Sequence, residues 1–172
     1  MKILKFFAVF ALLVLALNAN QTFAQVERVE MRVDGLACPF CSYGLEKKLK
    51  EVKGAGKVTI YVDNGLAVLT GKKTESINVE QLEPVVKAAG FTPGPISLTV
   101  MGTISDKNGA PVFSVSGTDM MFVLKSNAQL EKLRAETNAK PVRVSGKLTS
   151  ETPQGHLGHP YMLTIETVEA AK

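Results

Sequence analysis

The chain has no tryptophan, two histidines and only two cysteines in 172 residues. Aromatics make up 6% of it and charged residues 21%. Each shortage excludes something. A stacking platform for single-stranded nucleic acid needs aromatics interleaved with basic groups. The C-terminal half has few aromatics, and its basic residues do not cluster, so no nucleic-acid partner is expected. No serine–histidine–acid arrangement, phosphate-cradling glycine loop or paired catalytic carboxylate is present, so a binding protein is expected rather than an enzyme. There is no low-complexity run. The longest apolar run, 6–17, is too short to span a bilayer, which needs about 20 residues.

That run follows Lys2 and Lys5 and leads to Thr22-Phe23-Ala24. This is the pattern of a secretory signal, and residues 1–24 are expected to be removed after Ala24. No cysteine follows the run to carry a lipid. The remaining chain, 25–172, has 18 basic and 16 acidic residues, since Lys2 and Lys5 leave the count of 20. A net charge of +2 carries no nucleic-acid signature. The expectation is a periplasmic or secreted protein with no stable membrane insertion once the signal is cleaved.

The two cysteines that are present stand close together, in Gly35-Leu36-Ala37-Cys38-Pro39-Phe40-Cys41. Before them, Val29, Met31 and Val33 alternate with Arg28, Glu30 and Arg32, which predicts a strand. After them, Leu45, Leu49 and Val52 recur at helical spacing. Pro39 suits a first helical turn. Two thiols therefore sit at a helix N-terminus, where aligned N–H groups favour thiolate. Such a pair can hold a soft metal ion, shuttle electrons as a reversible disulfide, or stand as an inert disulfide. Outside the cytoplasm oxidation is the default. But closing so short a loop contributes only about 2 kcal/mol, against about 3 for a 15-residue loop. As metal ligands, two thiolates satisfy Cu(I), Ag(I) or Hg(II), which accept two-coordinate geometry, whereas zinc prefers four ligands. For redox exchange, Cys38 on the loop side is expected to be the more exposed cysteine.

Further along, Val58, Ile60 and Val62 predict a strand, Asp63-Asn64-Gly65 a hairpin turn, and 66–70 the returning strand. Asn78 and Gln81 resemble a capping box opening a helix through Leu82, Val86 and Ala89, stopped by Gly90. Pro84 is expected to kink or delay that helix. A further strand starts at about Ile96. The order is a ferredoxin-like split βαββαβ unit. Pro93-Gly94-Pro95 then marks the expected boundary, giving units 25–95 and 96–172, the first expected to fold alone. In the second, strands are expected over 98–104, 112–115, 120–124, 142–148 and 161–165, with a helix over 128–138. Five strands with that helix between the third and fourth give an OB-like β unit. The fold class is α+β.

The segment from about Glu27 to Pro95 resembles the heavy-metal-associated domain, whose motif Gly-Met-x-Cys-x-x-Cys stands here as 35–41 with Leu36 for the methionine. Ala89-Gly90-Phe91 at the end of the second helix is also similar. The resemblance covers about two-fifths of the chain. It implies a soft metal ion, Cu(I) or Hg(II), held by Cys38 and Cys41 for transfer or sequestration. It implies as partner a membrane metal transporter or another metal acceptor protein. Phe91 would then pack near the loop and limit water access. Cys-Pro-x-Cys is also a thioredoxin-like feature, so thiol–disulfide exchange stays as the alternative, although no tryptophan precedes Cys38. Lys47 is read as a solvated surface lysine. His156 and His159 fall in a polar loop at a spacing unlike a zinc finger. Met101, Met120, Met121 and Met162 sit in strand patterns and are read as core packing.

Overall fold

The computed structural model describes residues 26–107, 109–136, 140–149 and 161–170. The expected signal segment, the turn residue Asn108, the end of the predicted helix at Asn138, and the loop with His156 and His159 lie outside the described residues.

The first strand, β1 (Val26–Asp34), buries Val26, Val29, Met31 and Val33 and leaves Arg28 and Arg32 outside. Helix α1 (Pro39–Lys50) buries Leu45 and Leu49. β2 (Ala55–Tyr61) and β3 (Leu66–Gly71) form an antiparallel hairpin around the short 3₁₀ turn Val62–Asn64. β3 pairs with β1, so the local order is β2-β3-β1-β4. Asn78 accepts from the N–H of Glu80 and opens the 3₁₀ turn Val79–Gln81. The expected capping box does not close, because Gln81 instead accepts from the N–H of Lys53 across the fold. Helix α2 (Leu82–Ala88) starts only after that turn. Pro84 thereby falls in its first turn, where its missing N–H costs nothing.

The largest departure from the sequence reading concerns Pro93-Gly94-Pro95. They lie inside β4 (Thr92–Lys107), a single 16-residue strand. Proline is excluded from strand interiors where both sides are paired. β4 pairs with β1 over Thr92–Val100, but its second neighbour begins only at Ile96. Both prolines sit where the strand has one partner, beside an irregularity in the β1 register between Met31 and Val33.

Beyond Ile96, β4 becomes a stave of a barrel with β5 (Ala110–Val115), β6 (Met121–Leu124), β7 (Val142–Thr149) and β8 (Met162–Ala170). The five strands close in the order β4-β5-β6-β8-β7-β4, with only β6–β8 parallel. Helix α3 (Ala128–Glu136) lies between β6 and β7 in sequence. Asn127 caps it by accepting from Leu130 N–H at 2.9 Å while donating to the Ile165 carbonyl at 2.7 Å. Val144 to Leu148 lie within β7, where the sequence predicts a strand, with a bulge at Ser145/Gly146. A Cβ on Gly146 would stand 2.3 Å from the Thr164 carbonyl oxygen, so only glycine lets β7 and β8 approach there.

One continuous core fills both lobes, from Val29, Leu45 and Leu69 to Phe113, Leu130 and Leu163. Arg143 of β7 also pairs with Glu27 of β1 at 2.8 Å. Among the described residues no helix is long and apolar enough to cross a membrane.

Candidate metal centre

The strand β1 delivers the chain to the cysteines at one end of the N-terminal lobe. Gly35 takes φ +93, a left-handed conformation glycine adopts without strain. A Cβ there would lie 3.6 Å from the Phe91 ring, so Phe91 covers the base of the loop. Ala37 N–H donates to the Gly35 carbonyl at 2.8 Å and tightens the turn. Leu36 is buried in the core and anchors the loop from below.

Cys38 is the N-cap of α1, with extended backbone, and its carbonyl accepts the first helical bond from Ser42 at 3.1 Å. Cys41 follows in the first turn. Neither is in a disulfide. Cys38 is half-buried and Cys41 exposed. This reverses the expectation that the loop-side cysteine is the more open one. Its cause is local: the N-cap is the last residue held by the buried Leu36 turn, while the third helical residue points outward with Phe40.

The two sulfurs differ in charge preference as well. The backbone N–H of Cys41, then its thiol, then the N–H of Phe40 stabilise the Cys38 thiolate and lower its pKa from 9.0. The same pairing raises that of Cys41: its thiol donates to Cys38, and the neighbouring negative charge resists a second ionisation. These are electrostatic contacts at the helix N-terminus, since Cys38 makes no capping hydrogen bond. Of the two thiols, Cys38 is therefore the one that ionises more readily.

Lys47 is exposed on α1. Six residues from Cys41, it lies about 9 Å along the axis, consistent with a solvated lysine. The methionines are dispersed. Met120 packs against the core and Met121 accepts from Lys107 at 3.0 Å, while Met101 and Met162 are half-buried on β4 and β8. Among the described residues no three His, Cys, Asp or Glu side chains converge on one point. Cys38 and Cys41 thus stand as two sulfurs with no third His, Cys, Asp or Glu side chain converging on them among those residues.

One feature escaped the sequence reading. The exposed large hydrophobics among the described residues are Phe40 (90%), Tyr43 (71%) and Tyr61 (49%). Tyr61 ends β2 opposite Leu66, which is itself opposite Arg32, and Val33 N–H bonds the Gly65 carbonyl at 2.8 Å. The register brings Tyr61 to the end that carries the cysteines. Only the alternation at 58–62 hinted at it, by leaving Tyr61 off the buried face.

Among solved structures, this chain is similar to a copper binding domain from the P-type ATPase HMA7, at 22% identity and TM-score 0.36, covering 40% of this chain and 90% of that one. It is similar to the N-terminal domain of PacS from Synechocystis PCC6803, at 18% identity and TM-score 0.35, covering 40% and 94%. It is also similar to the CopZ metallochaperone, at 18% identity and TM-score 0.36, covering 39% and 98%. No curated protein sequence matches the chain. Residues 30–92, the lobe that carries both cysteines and Phe91, match the heavy-metal-associated domain family.

Proposed function

We propose that this protein holds one soft metal ion, Cu(I) or in its place Hg(II), between Cys38 and Cys41 and hands it to a protein acceptor. The observation that carries the reading is the pair of free thiols at the N-cap and first turn of α1, within the stretch that matches the heavy-metal-associated domain family. A two-sulfur site suits ions that accept linear coordination and leaves zinc short of ligands. Binding needs both sulfurs deprotonated. The Cys38 thiolate engages the ion first, Cys41 releases its proton to solvent, and a dithiolate complex results. Transfer reverses this with an incoming sulfur of the acceptor, and Cys41, on the exposed side, is the ligand it meets first. A membrane metal transporter or another metal acceptor protein is the partner we infer. The three exposed aromatics at this end fit such a contact, because aromatic side chains anchor protein interfaces.

Thiol–disulfide exchange fits less well. An exchange protein attacks with an accessible thiolate. Here the cysteine that favours thiolate is half-buried, and the exposed one holds its proton more strongly. Export follows from reading residues 1–24 as a signal and places the protein in the periplasm or outside the cell. We read the barrel as OB-like from its helix between third and fourth strands and its parallel closing pair. It serves as scaffold rather than as an enzyme. X-ray absorption on the Cu(I)-loaded protein should show a two-sulfur shell. A shell lacking both sulfurs, together with rapid exchange of a test disulfide, would replace the metal reading with the redox one.

A further inference from the structure

We propose that Lys48 is a positioning residue for the metal loop: its ammonium group clasps the C-terminal end of α2 and so holds Phe91 over Gly35. The inference rests on the metal-site reading above and extends it to a residue outside the loop.

Both cysteines sit at the start of α1, and Lys48 lies on the same helix about two turns beyond Cys41. With Pro84, Val85 and Ala88 it lines a groove between α1 and α2. Across that groove its Nζ donates to the Ala88 carbonyl at 3.1 Å. Ala88 is the last residue of α2. A helix end leaves carbonyls without partners inside the helix. Three of those here are met by the chain itself. Ala89 N–H donates to Val85 at 3.0 Å, Gly90 N–H to Lys87 at 3.0 Å, and Phe91 N–H to Val86 at 3.2 Å. Gly90, at φ +86, makes the left-handed reversal that such a helix end requires. The Ala88 carbonyl is met by the lysine of the neighbouring helix. A positive charge is also favoured there by the aligned peptide dipoles.

The turn that Lys48 holds is the one that presents Phe91. The Phe91 ring lies 3.6 Å from where a Cβ on Gly35 would stand, and Gly35 opens the metal loop. One helix therefore carries the ligands, and the end of the other carries their cover. α2 has only seven residues, too few to be stable alone, so its position depends on what holds it. Leu82 and Val86 anchor its inner face. Lys48 ties its last turn to α1 from outside. Without that tie the turn swings more freely, Phe91 leaves Gly35 more often, and water reaches the loop. Lys48 thus acts on how long the loop keeps its ion, without touching the ion.

The test uses the full chain and two readouts. One is the rate at which Cu(I) leaves to an excess of bicinchoninate. The other is the ring-current shift of the Gly35 Hα protons by NMR in the metal-free protein, which reports the seat of Phe91 without any metal. Lys48→Met keeps an apolar stem and loses the donor; Lys48→Arg restores a charged donor. Lys47→Met removes the same charge nearer to the cysteines along the helix but away from the clasp. Phe91→Leu removes the ring and sets the end point of the shift. An exposed charged contact is a weak one, so Lys48→Met is expected to speed Cu(I) loss about threefold. It should also move the Gly35 shift toward the Phe91→Leu value. Lys48→Arg should stay near the parent in both readouts, and so should Lys47→Met. The proposal is overturned if Lys48→Met leaves the Gly35 shift unchanged. It is equally overturned if Lys47→Met matches Lys48→Met, since charge alone would then be at work, or if Lys48→Arg fails to restore the parent. If the parent binds no Cu(I), the metal reading fails, and the Gly35 shift alone still decides whether Lys48 seats Phe91.

Discussion

The N-terminal lobe and the barrel treat their aromatic side chains in opposite ways. The barrel hides Phe113 and Phe122 at 0% and 1% exposure and leaves Tyr161 only 8% exposed. The N-terminal lobe exposes Phe40, Tyr43 and Tyr61 at the end where the cysteines emerge. A buried aromatic contributes its full apolar area to folding, whereas an exposed one contributes almost nothing and is retained for another reason. The contrast sets an exposed aromatic end apart from a lobe whose aromatics are buried, while both lobes share the strand β4.

Cutting the chain is the strongest way to break that contrast. A fragment of residues 26–95 loses Ile96, Leu98 and Val100, which pair with Met31, Val29 and Val26. Burying each such side chain contributes about 1.5–3 kcal/mol. The sum is comparable to the whole stability of a small domain, about 5–15 kcal/mol. The fragment should therefore be unfolded by circular dichroism, and the full chain should melt in one transition. A folded fragment 26–95 would show that the lobes are independent after all.

Paired substitutions test the aromatics directly. Phe113→Ala should cost about 3–5 kcal/mol in a denaturant titration. Phe40→Ala should stay within about 0.5 kcal/mol of the parent. Similar costs at the two positions would erase the distinction. At the cysteines the expected effect is on binding: Cys38→Ser and Cys41→Ser should each weaken Cu(I) about a hundredfold or more, near 2.7 kcal/mol, by competition with a chelator of known affinity. An undiminished affinity in either variant would mean that the site is built elsewhere.

Much of the site was legible in the residues. The spacing of Cys38 and Cys41, the alternation before them and the helical period after them were enough to place two thiols on a helix N-terminus. The barrel was legible in its element order, five strands with a helix between the third and fourth, but its strand pairing was not, because pairing is set by tertiary packing. Pro93-Gly94-Pro95 reads as a break because proline and glycine punctuate local structure, yet β4 runs through it. Whether a strand has a second neighbour at that point, which decides if proline is tolerated, is not local. Gln81 misled in the same way, since its side chain found a better partner in the Lys53 N–H. The aromatic end was hidden because Tyr61 lies twenty residues beyond Cys41 and arrives there only through antiparallel register. The relative exposure of the cysteines was hidden too. It turns on how firmly Leu36 anchors the loop, which spacing does not reveal.

That last point gives the finest test, because charge and exposure pull the two cysteines in opposite directions. Alkylation by iodoacetamide proceeds through the thiolate. Contacts from Cys41 and Phe40 lower the pKa of Cys38 below 9.0, and the Cys38 charge raises that of Cys41 above it. Between the two pKa values the pair carries one proton and one charge, with the charge on Cys38. With limiting reagent near neutral pH, peptide mass spectrometry should find Cys38 labelled several-fold more than Cys41 despite its partial burial. The preference should shrink as pH rises through the raised pKa of Cys41, where both become thiolates and the exposed one gains. The linkage to stability runs with the same signs. The lowered Cys38 pKa contributes stability above its unfolded value that is lost as pH falls through the folded one. The raised Cys41 pKa contributes stability below its unfolded value that is lost as pH rises through the folded one. Both groups reach solvent, so these contributions are small and the labelling ratio is the sensitive measurement. If Cys41 is labelled first at neutral pH, exposure outweighs the helix N-terminus, and Cys41 rather than Cys38 is the thiolate that first engages the ion.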